Sequence, residues 1–307
     1  MNPASSSAAP AAPTGAWRAH LTADLVAAVR AAGALACWEG GSAATGRLDQ
    51  FSDIDLCIVA PLAQADALFV AVEAALSSAT VIEHTWTVDP VPWPHMAQRF
   101  YLLRDAPPYF AVDCSVVAAE GIDQFLERER HGEPVVYFDS TGGVHATSLD
   151  PAAHARRIAR RRDQIAQFTP VYALLVRKEL ARGRPLEALG FYQVLVRALA
   201  ELMGMRFRPA RFDFGLRYVT TDLPADAQAE LAAAAFVSGA EDLPSRLDRL
   251  LGALDAQAGA LPADQSVRIV ERRQPLIHAR CTRDTRRFAL HVLRVLRCRC
   301  DRPTQRC

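Results

Sequence analysis

The sequence predicts an α/β domain followed by an all-helical one, and three observations carry that prediction. Short apolar strand patterns alternate with helical periodicity through residues 17–150. Beyond Asp150-Pro151 the periodicity turns wholly helical. The stretch Leu35 to Val59, LACWEGGSAATGRLDQFSDIDLCIV, joins two strands through a Gly-Gly-Ser turn, and the second strand opens on two aspartates one residue apart. A chain of 307 residues has room for two domains, and a hydrophobic content of 50% supplies their cores.

In chain order, residues 1–16 are rich in Ala, Pro and Ser and are expected to be a disordered tail. From Trp17 to Ala32, Leu21, Leu25, Val26 and Val29 recur at helical spacing, and Gly33 is a stop signal. A strand at Leu35–Trp38 follows. In the Asp53 strand, Asp53, Asp55, Cys57 and Val59 share one face and Ile54, Leu56 and Ile58 the other. Both faces are apolar beyond the aspartates, which marks a central strand. Pro61–Ser78 reads as a crossover helix, so a βαβ unit with a right-handed crossover is expected. Thr80–Val88, Gln98–Leu103 and Tyr109–Val117 read as strands; the proline-rich residues 90–95 form a loop expected to overhang the site. Ala118–His131 reads as helical and Pro134–Phe138 as a short strand. Asp150 then has the character of an N-cap before an N1 proline, opening helices at 151–168, 170–182, 185–204, 225–236 and 243–258.

Composition narrows the classes of function. The formal net charge is +1, but residues 271–307 carry eleven Arg against three acids, so residues 1–270 carry −7. A body of that sign suits a small cationic substrate better than bulk nucleic acid, whose binding depends on neutralising phosphates. No uninterrupted apolar run is long enough to span a bilayer, the N-terminus has no signal-like core, and a cytoplasmic location is expected. The seven cysteines lack the spacing of a secreted scaffold, and Cys37, Cys57 and Cys114 lie in apolar strand patterns as small hydrophobes. Cys281, Cys298, Cys300, Cys307 and His291 lack the spacing of a zinc site. The Arg/Cys-rich segment is read as an atypical basic extension beginning near residue 261.

The chemistry concentrates in three acids. Asp53 and Asp55 point the same way from one strand about 7 Å apart, two rises of the chain. Two carboxylates so placed repel unless one binds a proton or a cation stands between them, and hard oxygen ligands suit Mg²⁺. Gly40-Gly41-Ser42 just before them lets the backbone approach an anion and adds a hydroxyl donor, so a nucleoside triphosphate with its Mg²⁺ is the expected ligand. Asp113 lies in a strand so apolar that burying it calls for a partner or a metal.

Gly41-Ser42, Ser52-Asp53-Ile54-Asp55-Leu56 and the strand-borne Asp113 together resemble the nucleotidyltransferase superfamily with a DNA polymerase β-like core, over residues 35–117. The resemblance implies a mixed sheet with flanking helices, and the helical half loosely resembles that of single-chain bacterial aminoglycoside and lincosamide nucleotidyltransferases. It further implies that Gly41, Ser42 and Ser52 bind the nucleotide and that Asp53, Asp55 and Asp113 are catalytic and hold two Mg²⁺ ions. Asp113 would also help activate an acceptor hydroxyl.

Among 35 basic residues Lys178 is the single lysine; it falls one turn after Leu174 and Leu175 on the expected buried stripe, from where it would reach the triphosphate. Arg182, Tyr192 and Tyr218 are further candidate contacts to base or phosphate, each read first as packing or surface, and Glu83-His84 as a sheet-face pair rather than a general base. The expected activity is transfer of a nucleoside monophosphate, AMP from ATP, to a hydroxyl of a small and cationic acceptor such as an aminoglycoside. The rivals are nucleotidylation of a protein or tRNA, and a module that binds nucleotide without turnover. The expected organisation is a nucleotidyltransferase domain at 17–150 and a helical domain at 151–260.

Overall fold

The computed structural model describes residues 14–261. The elements in order are helix α1 (Thr14–Ala31), strand β1 (Ala36–Glu39), the single-turn helix α2 (Gly41–Ala44), β2 (Ile54–Val59), α3 (Ala65–Ala79), β3 (Ile82–Thr87), β4 (Met96–Leu103), β5 (Val112–Val117), α4 (Arg128–His131) and β6 (Val135–Asp139). Helices α5 (Pro151–Ala181), α6 (Pro185–Phe207), α7 (Val219–Asp222), α8 (Ala225–Ala235) and α9 (Leu243–Gly259) complete the chain. The tail expected at 1–16 lies outside the described residues except for its last three, which already belong to α1. The basic extension at 261–307 lies outside them beyond Leu261.

The six strands form one mixed sheet in the order β3-β4-β5-β2-β1-β6. Strand β2 is central, parallel to β5 and antiparallel to β1. The expected βαβ unit is corrected in its pairing: β3, reached through α3, runs parallel to β2 but is separated from it by two strands, because β4 and β5 are inserted between them. One sheet face, with Ile54, Leu56, Ile58, Val112, Cys114 and Tyr101, packs on Leu25 of α1 and on Leu68, Val72 and Leu76 of α3. Part of the other face is covered by Ile122 and Leu126, which meet Trp38, Val59 and Val117. The register shifts between Ile82 and His84, so Glu83 is an extra residue on β3. Ile82 therefore packs with the helix-covered core while Trp86 belongs to the opposite face.

Asp150 caps α5, its side chain accepting from the Ala152 and Ala153 amides. The break expected at Pro170 does not occur, and α5 runs for 31 residues with the proline inside it. Pro170 has no N–H to give the Ala166 carbonyl, but the two flanking segments share one buried stripe, Ile158, Ile165, Ala173 and Val176, which packs on Tyr192 and Leu199 of α6 in a single core. Helix α6 and residues 62–79 have the length and mean hydropathy that a membrane span needs, 1.2 and 1.3 respectively, although charged residues such as Asp66, Glu73, Arg197 and Glu201 interrupt both. In this fold α6 is the central helix of the helical core, and α3 lays a buried stripe on the sheet.

Candidate active site

The three acids are brought to one place by the parallel β2–β5 pair. Asp55 and Asp113 are direct partners across it, and Asp53 stands one residue before β2 begins. Directly paired residues share a sheet face, so the two carboxylates face the same way. Each is fixed by the backbone or by a neighbour. The Ala111 amide donates to Asp53 Oδ1 at 2.6 Å, and Gln98 Nε2 donates to Asp113 Oδ1 at 2.7 Å. Asp55 accepts from the backbone N–H of Ser42.

Burial drives the electrostatics. Desolvation raises all three acids above the ordinary carboxylate range, and their charges on one another raise Asp55 and Asp113 further. Asp113 is pushed up to about 7, chiefly by burial, against the lowering effect of the Gln98 hydrogen bond. Arg18 and Arg217 oppose the trend at Asp55. Three half-buried carboxylates that destabilise one another's charge form a site whose missing component is positive.

The turn before β2 is built around Asp55. Gly41 has φ +54°, and a Cβ there would stand 1.7 Å from Asp55 Oδ2, so both the backbone angle and the space demand glycine. The Ser42 hydroxyl is shut off from solvent and has no hydrogen-bond partner in the protein. A buried donor left open beside a carboxylate cluster is the mark of a missing polar ligand. The other end of the turn is tied down by the Glu133 amide, which donates to the Ala44 carbonyl at 2.9 Å.

Two basic residues absent from the sequence reading support the acids. Arg18 of α1 donates to the Asp53 carbonyl through Nε at 3.2 Å and Nη2 at 2.9 Å, and it pairs with the fully buried Glu39. Tyr137 also donates to Glu39, at 2.6 Å. Arg217, from the segment between α6 and α7, stands close enough to lower the pKa of both Asp55 and Asp113. Its loop is held from below: Arg208 donates to the carbonyls of Gly215 and Arg217 and pairs at 3.6 Å with Asp222, both side chains being only 3% exposed. Asp222 also takes Arg211 at 3.2 Å and Arg47, just past the Gly-Ser turn, at 3.4 Å. A single buried carboxylate thus joins the turn to the arginine-bearing loop. Periodicity could not reveal these residues, because they act through tertiary contacts, Arg18 from a helix and Arg217 from an irregular segment.

The remaining predicted residues are placed otherwise. Ser52 spends its hydroxyl within its own turn, accepting from the Asp49 amide at 2.8 Å and donating to Asp49 Oδ1 at 3.0 Å. Lys178 is exposed on α5 rather than on its buried stripe, because the stripe passes through Val176 and Glu179, one position out of phase. The cations that act on the three acids are Arg18 and Arg217. Tyr192 is core, its hydroxyl donating to the Ala234 carbonyl at 2.7 Å, and Arg182 pairs with Glu179 at 2.8 Å. Tyr218 lies beside Arg217, whose Nη2 donates to its hydroxyl at 3.3 Å. The 90–95 loop packs Trp93 on Phe125, its Pro94 carbonyl accepting from Gln124.

The oxygen donors fit a hard divalent cation, and the orphaned Ser42 hydroxyl beside them fits an anion carried with it. Among the described residues, no three His, Cys, Asp or Glu side chains close on a single metal position. The fit is therefore to an ion whose coordination is completed by a ligand, not to a closed protein cage. A depression of about 440 Å³ on α5, lined by Arg161, Gln164, Gln167, Phe168 and Val171, involves none of the acids.

No family model matches the chain, and no curated protein does. Among solved structures, the chain is similar to the crystal structure of an aminoglycoside 6-adenyltransferase from Bacillus subtilis, at 12% identity over 76% of this chain and 86% of that one, with a TM-score of 0.30.

Proposed function

We propose that this protein transfers a nucleoside monophosphate, AMP from ATP, to a hydroxyl of a small acceptor and releases pyrophosphate. The observation that supports this reading most is the row of buried, mutually repelling carboxylates, Asp53, Asp55 and Asp113, beside a Gly-Ser turn whose buried hydroxyl has no partner. Asp53, Asp55 and Asp113 would hold Mg²⁺ when it enters with the nucleotide. Bound there, Mg²⁺ supplies charge stabilisation to the attacking and leaving oxygens. The chain's own groups do the rest. Ser42 donates to a phosphate oxygen and Arg217 neutralises the triphosphate from the helical half. Asp113 takes the proton of the acceptor hydroxyl as its oxygen attacks the α-phosphorus and pyrophosphate departs. Ser52 shapes the turn that delivers Asp53 and does not touch the nucleotide.

The open geometry of the acids favours one rival, a module that binds nucleotide without turnover. Pyrophosphate release from ATP–Mg²⁺ over a panel of hydroxyl acceptors separates the two. Release by the wild type that disappears in Asp53→Ala and Asp113→Ala supports transfer. Tight ATP–Mg²⁺ binding with no release across the panel would assign the module instead.

A further inference from the structure

The acid row does not end at Asp113. Register carries it straight across the sheet: Asp55 pairs with Asp113, Asp113 with Phe100 of β4, and Phe100 with Trp86 of β3. Directly paired residues share a face, so all four side chains stand on the face that α1 and α3 do not cover. Trp86 and Phe100 are stacked, with ring centroids 5.3 Å apart and planes 19° from parallel. Trp86 is 54% exposed and Leu102, next on the same face, is 47% exposed. With strands about 4.8 Å apart, the platform begins about 5 Å from Asp113 and ends about 10 Å from it.

We infer that Trp86 and Phe100 form the acceptor subsite, stacking the flat apolar face of a sugar-like ring system whose hydroxyl is thereby presented to Asp113. The inference rests on the nucleotidyltransfer reading and gives it a substrate class. The Gly41–Ser42 turn occupies the opposite side of the acids, at β1 and β2, so nucleotide and acceptor approach Asp55 and Asp113 from different directions. An aromatic face offers C–H stacking and, to an amine-bearing ring, a cation–π contact, while the neighbouring carboxylates favour positive charge. The span of the row sets a minimum size: a hydroxyl at Asp113 and a ring over Trp86 require a molecule of at least two rings. The bulge at Glu83, which pairs with Arg104 at 3.0 Å, lets Ile82 return to the helix-covered core while Trp86, paired with Phe100, stays on this face.

The test is calorimetric titration of the full chain, with Mg²⁺ and a non-hydrolysable ATP analogue present, using amino sugars of one, two and three rings. The wild type should bind the two-ring compound about tenfold more tightly than the one-ring compound, as expected for one added stacking contact. Trp86→Ala should lose that increment and Trp86→Phe should keep most of it, with the affinity for the ATP analogue unchanged in both. Equal binding of the two-ring compound by Trp86→Ala and the wild type overturns the inference, as does a wild type that binds the ATP analogue but none of the sugars. A concentration-dependent dimer abolished by Trp86→Ala would give the face to a second copy of the chain and overturn it too. A wild type unable to bind the ATP analogue removes the nucleotidyltransfer reading, and the inference with it.

Discussion

Gly41 is in contact with Asp55: a methyl group on Gly41 would lie 1.7 Å from the carboxylate oxygen, and the backbone already holds φ at +54°. The two residues lie on different elements, so one substitution tests whether the turn and the acid act as a unit. Gly41→Ala should push the Asp55 carboxylate off the Ser42 amide, cost about 1–2 kcal/mol in left-handed strain, and lower pyrophosphate release by about a hundredfold. Urea unfolding and a coupled pyrophosphate assay measure the two effects separately.

Asp113 makes the fold of the metal-free protein depend on pH. Its carboxyl is raised from an ordinary 3.8 to about 7, so the folded chain binds that proton more tightly than the unfolded chain does. The resulting stabilisation is complete below pH 3.8 and is lost as pH rises through 7. Asp113→Asn removes that share of the dependence and leaves the share of Asp53 and Asp55, whose carboxyls burial also raises. At pH 8 the variant should exceed the wild type by about 1–2 kcal/mol, below the ~4 kcal/mol that the full shift would imply, because the group retains some solvent contact. At pH 3.5 the two should melt together. Thermal melts across this range without Mg²⁺ read the difference, and the more stable variant should be inactive.

The Arg18–Glu39 pair should matter to stability first. Glu39 is fully buried and its partners Arg18 and Tyr137 are fixed on it, so Glu39→Gln leaves a guanidinium without its counter-charge. A loss of about 3 kcal/mol is expected in denaturant unfolding. Arg18→Met should add a kinetic defect, since it also frees the Asp53 carbonyl.

Arg217 and Asp222 should separate binding from stability. Arg217 is exposed, so Arg217→Ala should leave the melting temperature within about 1 °C of the wild type while raising KM for ATP about tenfold. Asp222→Asn takes the counter-charge from the buried Arg208 and loosens both Arg47 and the Arg217 loop. It should raise KM for ATP similarly and also cost about 3 kcal/mol. An Asp222→Asn protein with wild-type kinetics would show that the turn and the loop are not coupled.

The sheet half was legible because its chemistry is written at strand spacing. Asp53, Asp55 and Asp113 sit at positions where alternation alone places two of them on one face, and the Gly-Ser pair is adjacent in sequence. The helical half was legible as helices but not in phase: Pro170 suggested a break that side-chain packing overrides, and Lys178 fell one residue off the stripe. Arg18, Arg217 and the Asp222 node escaped notice because a positive charge in a helix or loop carries no periodicity that says what it will face. The pairing of β3 escaped for a related reason, since sequence order says which strands exist but not which become neighbours.

The surplus residue in β3 has a smaller effect than its position suggests. Were Glu83 removed, Ile82 and Trp86 would stand three positions apart, and plain alternation would keep the first in the helix-covered core and the second beside Phe100 on the open face. A relative one residue shorter there would keep both the acids and the aromatic floor. What an acceptor meets on that face is then set by the pairing of Trp86 with Phe100, not by the length of the strand that leads into it.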